Sequence, residues 1–258
     1  MLDVHARLNL RDLGGMASND GRRVASGLVY RSGALHDPTH HEVSALAQLG
    51  VVEVFDLRTE AERAERATPW PSATVNWLDV LGPNSMAAPA RLRELLADPA
   101  RARAEMGEGR ASALFVDAYR QFVTSQQGLE AYSRLLLGIA RAQGPVVFHC
   151  TAGKDRTGWA AAVLLELLDV RRDDVLADYL RTNDVTAPTF DAYREAYAAS
   201  GGDVDVLEAA LVADAAYLEA AFSEMESTWG DVSLYVMRGL GLSADDVEQL
   251  RRRLLVEA

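Results

Sequence analysis

Ten consecutive residues hold the most reactive combination of side chains in this sequence: His149-Cys150-Thr151-Ala152-Gly153-Lys154-Asp155-Arg156-Thr157-Gly158. The chain has 258 residues but only one Cys and one Lys, and both fall inside this segment, four positions apart. A Cys followed after five residues by Arg and then by a hydroxyl residue suits one task. Backbone N–H groups of a loop curled ahead of a helix N-terminus make a cradle for an anion, and the helix dipole adds positive potential at its centre. The same field favours the ionised thiol, so Cys150 is expected to be a nucleophile lying beneath a bound oxyanion. Arg156 closes the cradle, because its planar fork can grip two oxygens of a phosphate and follow them as the phosphorus becomes trigonal bipyramidal. Thr157 is expected to donate to the Cys150 sulfur when it becomes the leaving group, and Gly153 to turn its N–H inward in a conformation that glycine permits. Adjacent His149 is read as orienting the loop by hydrogen bonding. At average residue usage, a given Cys acquires this His, Gly, Arg and Ser/Thr pattern in roughly one case in 10⁵.

Such a loop needs a strand behind it and a helix in front. Pro145-Val146-Val147-Phe148 is a short apolar run that reads as a buried strand, and Trp159 to Leu168 is an apolar helix. Earlier, Gly27-Leu28-Val29-Tyr30, Val51 to Leu57 and Thr74 to Val80 read as strands, and His40 to Leu49 has helical spacing. Residues 85 to 142 read as a helical insertion with breaks near Pro99 and Gly107 to Gly109. The text from Arg172 to Ala258 reads as a helical tail, in which Ser243 and Asp246 carry a capping signal for the last helix. The expected fold is therefore a single α/β domain over residues 1–258, with a central sheet of four or five strands flanked by helices.

Composition narrows the function further. A formal charge of −12 opposes non-specific nucleic-acid binding, which depends on a basic face. No apolar stretch of 18 residues stands in the sequence, and the first 15 residues lack a secretory layout, so a cytoplasmic location is the default expectation. One Cys excludes an internal disulfide and a multi-Cys zinc site, and suits a reducing compartment.

The HCTAGKDRTG segment resembles the signature loop of the cysteine-dependent protein-tyrosine and dual-specificity phosphatase superfamily. Asn9-Leu10-Arg11-Asp12-Leu13-Gly14-Gly15, Tyr30-Arg31-Ser32-Gly33 and Asp56-Leu57-Arg58 extend the resemblance over about residues 8 to 180, to the bacterial atypical subgroup with tyrosine and phosphoinositide phosphatase members. The resemblance implies a cofactor-free, metal-independent phosphatase. In it Cys150 attacks phosphorus, an acid protonates the leaving oxygen, and water hydrolyses the phosphocysteine. Thr151, Ala152, Gly153, Lys154, Asp155 and Arg156 would bind the phosphate of a phosphorylated protein or a phosphoinositide, and a helical lid is expected from about Thr186 to Phe222. The sole Lys, in a chain that otherwise uses Arg, reads as a phosphate-facing charge that could also hold a ring bearing several phosphates.

Three carboxylates compete for the role of acid. The Trp-Pro-Asp loop of larger tyrosine phosphatases is not matched, since Ser72 follows Trp70-Pro71. Asp56, ending a strand at the ligand edge of the sheet, is the first choice, with orientation of Arg58 as its alternative role. Asp155 within the loop is second, as acid or water activator, and Asp79 third. One of Arg31 and Arg58 is expected to contact substrate or brace the loop. A nucleotide P-loop is excluded, because Asp155 follows Gly153-Lys154 and Phe148 stands where the first Gly should be. His36, His40 and His41 do not make a zincin motif. A rhodanese-type sulfurtransferase and a non-catalytic phosphate-binding module remain the alternatives.

Overall fold

The computed structural model describes residues 8–35, 39–66, 70, 73–82 and 97–257. The chain runs through β1 (Arg11–Asp12), β2 (Arg22–Val24), β3 (Val29–Ser32), α1 (His40–Gln48), β4 (Glu53–Asp56), α2 (Glu60–Glu65) and β5 (Thr74–Trp77). Three helices follow, α3 (Pro99–Met106), α4 (Arg110–Thr124) and α5 (Gln126–Arg141), before β6 (Val146–His149). The remainder is α6 (Asp155–Leu167), α7 (Arg172–Ala199), α8 (Val204–Leu211), α9 (Ala215–Trp229), a π-helical turn at Tyr235–Gly239, α10 (Ala244–Leu254) and β7 (Leu255–Glu257).

The main sheet has the order β1-β3-β6-β4-β5, with β1 antiparallel and the other pairings parallel. β6 is its middle strand and is buried along its whole length, as a parallel strand covered on both faces must be. Because successive side chains point to opposite faces, β6 feeds two cores. Val146 and Phe148 join Phe55, Tyr132, Leu136 and Trp159 in the larger one. Val147 joins Val54, Leu46 and Trp70 in the smaller. Register places Ser32, His149 and Asp56 side by side at the carboxyl ends of three parallel strands, so the residue after His149 emerges where α/β sheets bind ligands.

Local signals explain most boundaries. Gly107 ends α3 and Gly109, at φ 80°, opens α4, where the breaks are expected. A third break comes at Ser125, whose side chain caps α5 by accepting from the Gly128 N–H. Ser243 and Asp246 form a reciprocal capping box on α10. The tail expected to be helical ends instead in the strand β7, which pairs antiparallel with β2, and two further differences concern helices. The helix expected from Trp159 begins at Asp155, because the polar residues 155–158 form its buried first turn rather than an open loop. The one-and-a-half-turn α2 is not anticipated, being too short and too charged to show an apolar period. His36, Pro71, Ser72 and the part of the expected insertion up to residue 96 lie outside the described residues. Among the described residues no helix is long and apolar enough to cross a membrane.

Candidate active site

Cys150 leaves the end of β6 with only 1% of its surface exposed, and residues 151–154 curl from it to the N-terminus of α6. Three carbonyls of this loop are engaged from behind. Thr151 O accepts from the Ala34 N–H at 3.0 Å. Ala152 O accepts from Asn9 Nδ2 at 3.2 Å, and Gly153 O accepts from Asn9 Nδ2 at 3.2 Å and from Arg31 Nη2 at 2.9 Å. In a planar trans peptide the C=O and N–H point in opposite directions, so three outward carbonyls turn the N–H groups of residues 152–154 toward the loop interior. Gly153 is obligatory here. Its φ is +70°, and a Cβ would fall 2.5 Å from both Gly33 N and the Ser32 carbonyl carbon.

The brace behind the loop explains the N-terminal motif. Arg31, fully buried, also donates to Asp178 Oδ2 at 2.6 Å, and Arg11 donates to Asp178 Oδ1 at 2.7 Å. Arg11 further bonds Asn9 Oδ1, holding that side chain toward the loop. Burial pushes the Asp178 carboxyl up, but the charges of Arg31 and Arg11 outweigh it and hold the group below its usual range. One carboxylate on α7 thus ties β1, β3 and the loop together. His149 contributes on the other side, its Nδ1–H donating to Cys150 O at 3.1 Å. Burial lowers the His149 pKa, which keeps this imidazole neutral.

Arg156 lies in the first turn of α6, 2% exposed, and meets a residue that sequence reasoning overlooks. Its Nη1 and Nη2 donate to Glu62 Oε2 and Oε1 at 2.7 and 2.8 Å, a bidentate pair with α2. The same carboxylate accepts from the Thr151 hydroxyl and, at 2.9 Å, from the Thr59 N–H in the reciprocal cap of α2. Burial opposes the charge on both partners, yet their mutual attraction dominates, holding the Glu62 carboxyl well below its usual range and raising Arg156. The Arg156 Nε–H, also buried, has no partner among the described residues. The signal that could have found Glu62 is Thr59-x-x-Glu62, a capping-box spacing two residues after Asp56-Leu57.

Several expected roles change. Lys154 does not face the loop interior. Its ammonium donates to Ala210 O at 2.6 Å and Val212 O at 3.1 Å at the end of α8, pairs with Asp155 Oδ1 at 3.3 Å, and sits 4.7 Å from the Phe115 ring centroid. A helix C-terminus presents unsatisfied carbonyls, and a compact cation is their natural partner. Thr157 is fully buried, and among the described residues its hydroxyl has no hydrogen-bond partner, the Cys150 sulfur included.

Asp56 is a poor fit for the acid. Both its oxygens accept from Arg58, at 2.9 and 2.8 Å, with Arg63 a third donor at 3.2 Å, and the residue is 1% exposed. Burial pushes this carboxyl up, but the Arg58 hydrogen bonds and charge prevail and hold it below the usual range, so it stays ionised. Arg58 itself donates onward to Arg66 O and does not reach the loop, whereas Arg31 does. Asp79 caps a turn, accepting from the Leu81 and Gly82 N–H groups at 2.9 Å. Of the three carboxylates only Asp155 belongs to the loop and its helix; its Oδ1 accepts from the Tyr119 hydroxyl at 3.0 Å.

Thiol, inward N–H groups, helix N-terminus and buried guanidinium lie together, and these are the groups that binding a tetrahedral oxyanion above a nucleophile requires. The chain matches the model of the tyrosine phosphatase family over residues 2–256. It is 34% identical over 253 residues to a protein of Cupriavidus necator named as a tyrosine-protein phosphatase, covering 96% of this chain and 85% of that protein. It is 29% identical over 276 residues to the triple specificity protein phosphatase PtpB of Mycobacterium tuberculosis, covering 96% of each. A tyrosine-protein phosphatase of Nostoc commune is 28% identical over 145 residues, 54% of this chain and 48% of that protein.

Proposed function

Since the chain belongs to the tyrosine phosphatase family and is a phosphatase, we propose that it hydrolyses phosphate monoesters through a phosphocysteine formed on Cys150. The Cys150 thiolate attacks phosphorus in line, and the sulfur–phosphorus bond forms as the bond to the leaving oxygen breaks. Asp155 hands its proton to that oxygen. Water then attacks the phosphocysteine, with Asp155 taking a proton, and the thiolate leaves with the electron pair of the broken bond. The loop N–H groups and Arg156 hold the non-bridging oxygens throughout, and their contribution grows as charge builds in the transition state. Neither sulfur transfer nor phosphate binding without turnover gains support from the family or the relatives.

The observation that carries this reading is the loop itself: three carbonyls pulled outward around a buried Cys, with a buried Arg following. Phosphotyrosine is the first substrate we assign. Phosphoserine, phosphothreonine and phosphoinositides are further candidates, motivated by the triple specificity that the relative's name records. The lipid reading needs a cation other than Lys154, whose charge is directed at α8 and Asp155. We read residues 1–258 as one domain acting in the cytoplasm, with α8 as the part of the expected lid that reaches the loop. In the test, Cys150→Ser should abolish turnover of p-nitrophenyl phosphate while still binding it, and a chelator should leave the wild type unchanged. Retained turnover in Cys150→Ser would overturn the nucleophile, and loss with chelator the metal-independent mechanism.

A further inference from the structure

Behind Asp155 lies a chain of hydroxyls that the mechanism above does not use. Tyr119 on α4 and Tyr179 on α7 are 0% and 1% exposed, and their oxygens are 2.8 Å apart. Tyr119 donates its single proton to Asp155 Oδ1 at 3.0 Å, so the proton between the two phenols must come from Tyr179. Burial, reinforced by the Asp155 charge, raises both phenols well above their ordinary value and keeps them neutral donors. Oδ1 also faces the Lys154 ammonium at 3.3 Å as an ion pair, so that one oxygen carries both the Tyr119 hydrogen bond and the nearby positive charge. Oδ2 has no partner among the described residues, and the side chain keeps 10% exposure.

A carboxylic acid carries its proton on one oxygen only, and an oxygen already accepting a hydrogen bond beside a cation is the less basic of the pair. We infer that Tyr119, oriented by Tyr179, is a positioning residue for the Asp155 carboxyl, filling Oδ1 so that the proton given to the leaving oxygen is carried on Oδ2. The inference rests on Asp155 being the acid. It differs from a purely structural role, in which Tyr119 would merely satisfy a buried carboxylate and its loss would slow all substrates alike.

Protonation of the leaving oxygen matters more as that oxygen becomes a poorer leaving group, so a series of aryl phosphates from p-nitrophenyl to phenyl separates the two roles. Tyr119→Phe, which conserves volume, should lower kcat on phenyl phosphate by about tenfold and on p-nitrophenyl phosphate by no more than about twofold, with KM unchanged. In the Asp155→Asn background the added substitution should have no selective effect, a non-additivity expected only of coupled residues. Tyr179→Phe should reproduce the pattern more weakly. If Asp155→Asn shows no leaving-group dependence, the acid assignment falls. If Asp155→Asn shows it but Tyr119→Phe slows all substrates equally, or acts equally in both backgrounds, the positioning role is overturned while the acid assignment stands.

Discussion

Lys154 and Arg156 are two cations of one loop, two residues apart and both buried, and their partners could hardly differ more. The Lys154 ammonium donates to two carbonyls at the end of α8 and forms an ion pair with the carboxylate of Asp155. Arg156 directs its two Nη groups mainly at Glu62, with longer bonds to Leu57 O and the Thr151 hydroxyl at 3.4 Å, and its buried Nε–H has no partner among the described residues. A cation whose hydrogen bonds all run to the end of a neighbouring helix is part of the scaffold, whereas one held rigidly by a fork and keeping a donor in reserve is prepared to meet an oxyanion. Residue type does not reveal which is which; the partner set does.

The largest effect that could break this contrast is Arg156→Lys. It keeps the charge and loses the fork, and kcat/KM for p-nitrophenyl phosphate should fall by on the order of 10³. A fall of tenfold or less would mean that charge alone suffices.

Glu62→Gln comes next. Without the carboxylate, Arg156 is less firmly oriented, and kcat/KM should drop about tenfold. The same variant tests the electrostatics. The Glu62 carboxyl lies below its usual range in the fold, so its contribution is complete above the unfolded value of about 4.3 and lost as pH falls through the depressed one. Between pH 6 and pH 3 the wild type should therefore lose on the order of 1 to 2 kcal/mol more stability than Glu62→Gln, read by urea unfolding at each pH. Parallel losses in the two proteins would remove the buried pair from the account.

Lys154→Met should have the smallest effect on substrate binding and a clear effect on stability. KM for a small aryl phosphate should stay within about twofold, while unfolding free energy falls by about 1 to 3 kcal/mol as carbonyls at the end of α8 lose their donor. A KM raised tenfold with stability intact would return Lys154 to the phosphate.

The loop was legible in the sequence because its chemistry is local. A nucleophile, a glycine at positive φ, a guanidinium and a helix N-terminus must follow one another within ten residues, and so must their letters. The four parallel strands β3, β4, β5 and β6 were legible as short β-rich runs, whereas β1, β2 and β7, each only two or three residues long, were not. What could not be read is set by partners distant in the chain. Asp178 is one aspartate on a 28-residue helix, and nothing nearby indicates that it unites Arg11 and Arg31 across 167 and 147 positions. The acceptors of Lys154 are main-chain carbonyls 56 and 58 residues away, which have no sequence signature. For Asp56, position at a strand end says where a carboxylate lies and not that Arg58 and Arg63 already bind it. Glu62 alone had a usable signal, a capping-box spacing that marks a helix start and conceals a second task.

The central claim is that the loop holds an oxyanion so that Cys150 can bond to its phosphorus. It is tested most directly by acid-quenching the enzyme during turnover of p-nitrophenyl phosphate and locating phosphate by peptide mass spectrometry. The account predicts one phosphoryl group, on Cys150, present in the wild type and absent in Cys150→Ser. A phosphoryl group on any other residue during turnover, or undiminished turnover with none on Cys150, would contradict it.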